Sequence, residues 1–83
     1  MIIMDDRFGK RYLTLKNVKW IDKSFVELKE PYGICVGCKG RRVTMFCFSS
    51  VRKRDVYYKN IATKLVEKHK LNPKYISYYY YIM

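Results

Sequence analysis

Gly33-Ile34-Cys35-Val36-Gly37-Cys38-Lys39-Gly40-Arg41-Arg42-Val43-Thr44-Met45-Phe46-Cys47-Phe48 is the stretch on which the fold turns. Ile34 to Cys38 and Val43 to Phe48 are apolar runs rich in β-forming residues, and Lys39-Gly40-Arg41-Arg42 between them has a glycine to supply positive φ, so the segment is a β-hairpin. Downstream, Tyr58, Ile61, Ala62, Leu65 and His69 recur at i, i+3, i+4, i+7 and i+11. Lys59, Thr63, Lys64, Glu67, Lys68 and Lys70 take the other side. That period predicts an amphipathic helix over about 55–70, with Asp55 as its cap and Asn72-Pro73 as its stop. The aromatic and β-branched run from Tyr75 to Met83 reads as a final strand.

Upstream the pattern is looser. Asp5, Asp6, Arg7, Gly9 and Lys10 interrupt any period, so residues 1–10 are expected to be loosely ordered. From Arg11 onward Leu13 and Leu15 alternate with polar neighbours, the mark of a half-buried strand. Val18, Trp20 and Asp22 then share one parity and Ile21 the other. Over residues 24–30 the sequence fits two states. Ser24-Phe25-Val26-Glu27 matches a helix capping box, which Pro31 would limit to about two turns. Phe25, Glu27 and Lys29 alternating with Val26 and Leu28 would make a strand. The expected class is therefore α+β: one domain spanning 1–83, a small sheet that includes the hairpin, packed against one amphipathic helix, with a C-terminal strand. Neither an internal repeat nor a linker is present.

Charge points to the partner. The 83 residues carry 18 Lys+Arg against 7 Asp+Glu, a net +11, while 49% hydrophobic content is enough for a fold. A folded domain that self-repulsive calls for a polyanion, and RNA phosphates are the first candidate. Arg41, Arg42, Arg52, Lys53 and Arg54 concentrate cations at the hairpin tip and helix start with no acid among them until Asp55. Arginine's planar fork suits phosphate oxygens. Lys59, Lys64 and Lys68 fit phosphate contact and the ordinary wet face of a helix equally. An anionic membrane would need a basic helix with exposed Trp, Phe or Leu on its other face, and the helix here uses that face for a core. No apolar run is long enough to span a bilayer, and Met1-Ile2-Ile3-Met4 is followed at once by Asp5 and Asp6, unlike a signal peptide. A cytoplasmic or nuclear protein without membrane or small-molecule partner is expected, and the odd set Cys35, Cys38 and Cys47 suits a reducing compartment.

Other chemistry is thinly represented. The nine tyrosines could stack exposed bases, yet Tyr78 and Tyr80 in a strand face opposite to Tyr79 and Tyr81, so at least half are core or edge filler. Cys35-Val36-Gly37-Cys38 has zinc-knuckle spacing, but only Cys47 and His69 remain as further ligands and a strand would aim Cys35 and Cys38 to opposite faces, so no metal is expected. His69, on the apolar side of the helix, reads as a packed residue rather than a general base. With no phosphate-cradling glycine loop and only scattered acids, neither catalytic residues nor a cofactor are expected.

In order along the chain, Leu13-Thr14-Leu15, Asp22 with Phe25, the hairpin 34–48, Lys53-Arg54 with Tyr58, Leu65, Lys68 and Leu71, and Tyr75 with Tyr79, Tyr80 and Ile82 resemble the eukaryote-specific large-subunit ribosomal protein family numbered twenty-two. Pro31 shortens the Phe25 segment, so the chain would be a reduced member. The resemblance implies a strand, a Phe-bearing helix, a hairpin, a basic helix and a tyrosine-bearing strand. It further implies binding to ribosomal RNA beside neighbouring ribosomal proteins, through Lys53, Arg54, Lys59, Lys64 and Lys68. The hairpin-then-helix order also resembles the small Alu-RNA-binding subunits of the signal recognition particle, without their leading helix. The segment from Asp55 to Met83 is similar to the helix and strand of tautomerases, but Ile2 stands where that family has its catalytic proline. The expected function is a non-catalytic RNA-binding component of the large ribosomal subunit. The other class is a pleckstrin-like or zinc-knuckle interaction module for an acidic partner.

Overall fold

The computed structural model describes residues 1–27 and 29–82. It is an α+β protein with two small antiparallel sheets and one long helix. Strands β1 (Ile2–Asp6) and β2 (Gly9–Leu13) form the first sheet. Strands β3 (Val18–Phe25), β4 (Tyr32–Cys38) and β5 (Arg42–Phe48) form the second, in the order β3-β4-β5. Helix α1 (Val51–His69) packs across the larger sheet.

The expected hairpin is present, with Cys38 opposite Arg42 and Tyr32 opposite Phe48. Its turn is a short 3-10 segment, Lys39–Arg41, in which Gly40 (φ 78°) and Arg41 (φ 61°) both take left-handed backbone. Ile34, Val36, Phe46 and Phe48 are buried on the sheet, and Tyr58, Ile61, Ala62 and Leu65 on the helix close over them. On the other face Gly37 lies opposite Trp20, and a Cβ there would overlap the indole ring. The small residue is what lets Trp20 lie flat on the strand.

Several expectations are corrected. Residues 1–10 are not loose: Ile2 and Met4 alternate with exposed Ile3 and Asp5 and enter the core, giving the period of a strand. The turn is fixed by the Asp6 carboxylate, which accepts from the Phe8 N–H at 3.2 Å. Asp6 also accepts from the Cys47 N–H at 2.7 Å and from Arg11 Nη2 at 3.1 Å, while Arg7 N–H donates to the Cys47 carbonyl at 2.9 Å. The interrupting charges thus tie the small hairpin to the edge of β5. Leu13 closes β2, and Leu15 begins a 3-10 turn rather than extending the strand, though both are buried. Ser24 and Phe25 belong to β3, so the capping-box helix does not form there; Leu28 of that window lies outside the described residues.

The long helix starts four residues earlier than about 55. Ser50 is its cap, its hydroxyl accepting from the Lys53 N–H at 3.2 Å, and Asp55 lies inside the helix. His69 is exposed in the last turn and is not part of the packed face. No C-terminal strand forms among the described residues. After a 3-10 turn at Pro73–Tyr75, only Ile76 bridges to Ile21, and Tyr79–Ile82 is a short helical turn, α2. Tyr78 has φ 60°, incompatible with an extended run, and burial of Ile76 takes the place of sheet pairing. Met83 of the expected strand lies outside the described residues.

Candidate nucleic-acid interface

The five cations Arg41, Arg42, Arg52, Lys53 and Arg54 do not form one cluster. Arg42 begins β5 and Phe48 ends it, a separation of about 20 Å at ~3.3 Å per strand residue. Arg41 and Arg42 therefore stand at one end of the sheet. Arg52, Lys53 and Arg54 stand at the other, where Lys53 Nζ lies 5.9 Å from the Phe48 ring.

At the helix start Arg54 is tied down, whereas Arg52 and Lys53 are exposed. Arg54 donates from Nε to Asp55 at 2.7 Å and from Nη1 to the carbonyls of Ser24 at 3.2 Å and Gly33 at 3.3 Å, and its side chain is only 11% exposed. It stitches β3, β4 and α1 together, with Nε and Nη1 turned to protein acceptors and little of the side chain left exposed to a phosphate. Lys23 adds a 3.1 Å ion pair to the same Asp55 oxygen and lies 5.2 Å from the Tyr58 ring. Burial would raise the Asp55 carboxyl, but its hydrogen bonds from Arg54 and Lys23 outweigh that and hold it below its ordinary value. Behind it the buried Tyr58 hydroxyl lies 3.2 Å from the Ile21 carbonyl, 2.6 Å from the Ser77 carbonyl and 3.0 Å from the Ser77 hydroxyl. Burial is the main reason that its pKa is pushed up to about 12. Ser77 in turn bonds Asp22. This end is a structural network.

The tip end is open. Lys39, Arg41 and Arg42 are exposed. Lys39 and Arg42 join Arg11 around a cleft of about 330 Å³ whose wall also includes Tyr12, Thr14, Asn17, Thr44 and Phe46. No carboxylate lines it. Arg11 is held in place by Met45, whose carbonyl accepts at 2.8 Å, by Asp6 and by the Phe46 ring 4.4 Å away. Its Nε is buried without a partner. Arg11 and Tyr12 were not among the expected site residues, because β2 meets the hairpin tip only through the fold; Lys39 was not among them either, although it lies in the same turn as Arg41.

Of the remaining expected residues, Arg52, Lys53, Lys59 and Lys68 are exposed on α1 and Lys64 is half-buried. The helix returns toward the tip: Leu71, just beyond its end, lines a groove with Val18, and Val18 pairs with Cys38 beside Lys39. Lys64 and Lys68 thus belong to the tip's half of the molecule, and Arg52 and Lys53 do not.

The cysteines are free, Cys47 buried and Cys35 and Cys38 half-buried. Cys35 Sγ lies 3.7 Å from the Ser24 hydroxyl, and the Cys47 thiol is pushed up by burial and then by Asp6. Among the described residues no three His, Cys, Asp or Glu side chains converge to hold a metal, and no helix is long and apolar enough to cross a membrane. Comparison with protein-family models, curated proteins and solved structures finds no match to this chain.

Proposed function

We propose that this chain is a non-catalytic RNA-binding protein of a ribonucleoprotein, with the large ribosomal subunit as its setting, and that Lys39, Arg41 and Arg42 at the hairpin tip make its principal phosphate contacts. The observation that carries the reading is the cleft where Arg11, Lys39 and Arg42 meet with no carboxylate in the wall. A net +11 supplies long-range attraction, and the tip gives it a place to act. Lys59, Lys64 and Lys68 extend the contact along α1, and Arg54 is set apart as structural.

Fluorescence anisotropy of a labelled structured RNA across a salt series tests this. Replacing Lys39, Arg41 and Arg42 together with glutamine is expected to weaken binding and flatten the slope of log K against log salt by up to about one per residue removed. An unchanged slope would remove the tip from the interface. Co-sedimentation with ribosomal subunits at low and high salt tests the setting.

A further inference from the structure

We infer that the face of the larger sheet turned away from α1 carries a stacking platform for a base of single-stranded RNA, made by Trp20 with Tyr75 beside it. The inference rests on the RNA-binding reading, adds a base-contacting site outside the tip cleft, and narrows the partner to single-stranded or looped RNA.

Strand alternation sets the face. Ile34 and Val36 are buried under α1, so Cys35 and Gly37 point the other way, and the register places Trp20 and Val43 on either side of Gly37. A Cβ at Gly37 would meet Cε2, Nε1 and Cδ1 of the indole together, so the ring lies face-down on the strand. Its remaining exposure, 37%, is on the outward side, and Val43 next to it is 63% exposed. A flat ring fixed by the backbone beneath it is preorganised to stack on a base, whichever base that is. A groove of about 390 Å³ at the edge of β3 brings in a second ring, for Trp20 and the exposed Tyr75 line it together with Val18, Leu71 and Lys19. The surrounding charge has the sign that an RNA backbone needs. Lys19 is exposed in the wall, Lys70 precedes Leu71, Lys74 Nζ lies 5.0 Å from the Tyr75 ring, and Lys39 follows Cys38, the partner of Val18. No carboxylate lines the groove, and Asp22, further along the same face, bonds the Ser77 hydroxyl. An apolar protein segment laid here would bury these ammonium groups unpaired, whereas a nucleotide chain neutralises them. A duplex keeps its bases stacked inside and could offer the rings only backbone.

Trp20 is the chain's one tryptophan, so its emission reads the site without any substitution. The test compares oligouridine, an RNA duplex of equal length and inorganic polyphosphate, a polyanion without bases, at matched salt. Anisotropy of the labelled RNAs and their displacement by polyphosphate give the affinities, and tryptophan fluorescence reports the ring. All three should bind, because the tip cations attract any polyanion. Only oligouridine is expected to quench Trp20 and to shield it from acrylamide. Trp20→Leu should lower oligouridine affinity about 5- to 100-fold, with duplex and polyphosphate affinities and the salt slope unchanged, and Trp20→Phe should retain most of it. Oligouridine that binds without changing Trp20 emission overturns the platform and leaves RNA binding standing, and so does equal quenching by the duplex or by polyphosphate. No binding of either RNA at low salt overturns both readings. Matching melting curves for wild type and Trp20→Leu exclude an effect through folding, and where that variant does not fold the wild-type emission decides.

Discussion

The two ends of β5 carry cations of the same kind set to different work. At the helix start Arg54 and Lys23 converge on Asp55, and the guanidinium's Nε and Nη1 are engaged by that carboxylate and two carbonyls. At the tip Lys39, Arg41 and Arg42 are exposed, and Asp6, which pairs with Arg11 of the cleft wall, also accepts from the Cys47 N–H. Partner supply, more than charge density, distinguishes a structural cation from a binding one. An arginine that spends most of its donors on protein acceptors and is largely buried offers little to a phosphate.

The largest expected effect sharpens the structural half of the comparison. Tyr58 is fully buried and its folded pKa is raised to about 12 from 10.0, so its contribution is complete below pH 10 and disappears as pH rises toward 12. Two pKa units correspond to about 3 kcal/mol. Lysines lose charge over the same range, so the quantity to measure is the difference in urea unfolding free energy between wild type and Tyr58→Phe from neutral pH upward. That difference should shrink and then change sign in favour of the variant, which has no proton to lose. A constant difference would mean that the hydroxyl ionises as freely folded as unfolded.

Next in size is a contrast between arginines. Arg54→Met should destabilise the fold by about 1–3 kcal/mol, because the Ser24 and Gly33 carbonyls and Asp55 lose a donor, and should leave the salt slope of RNA binding where it was. Arg42→Gln should do the reverse, flattening the slope by up to about one while the melting temperature stays level or rises as repulsion among the tip cations falls. Equal effects on both observables would erase the distinction between the two ends.

The sequence carried the body of the fold and only part of the site, for identifiable reasons. The hairpin and the quartet Tyr58, Ile61, Ala62 and Leu65 were legible because burial on one face writes a period into the chain. The first hairpin was masked because the residues that fix its turn and dock it, Asp6, Arg7 and Arg11, are charged and look like interruptions until their partners on β5 are known. The tyrosine run after Pro73 has strand composition, but Tyr58 claims the Ser77 carbonyl and Tyr78 turns left-handed, facts set by tertiary contacts. Arg41 and Arg42 were legible as exposed cations at a turn. That Arg54 is structural depends on carbonyls from β3 and the start of β4, and that Arg11, Lys39 and Tyr12 share a cleft depends on β2 docking beside the tip. Neither leaves a local signature.

The smallest expected effect lies at the carboxylate that holds the structural end together. Asp55 is depressed below its ordinary 3.8 because the hydrogen bonds from Arg54 and Lys23 favour the charged form by more than burial disfavours it. A depressed acid stabilises the fold above its unfolded value, and that stability is lost as pH falls through the folded value. The side chain is 44% exposed, so solvent screens the pair and the contribution should stay below about 1 kcal/mol. Asp55→Asn should therefore be slightly less stable than wild type at neutral pH, with the gap closing on acidification below the carboxylate range. A gap that persists in acid would mean that shape and hydrogen bonding, not charge, are what Asp55 supplies. Arg54 would then be held by the two carbonyls alone, and the helix-start end would owe its closure to backbone acceptors rather than to its acid.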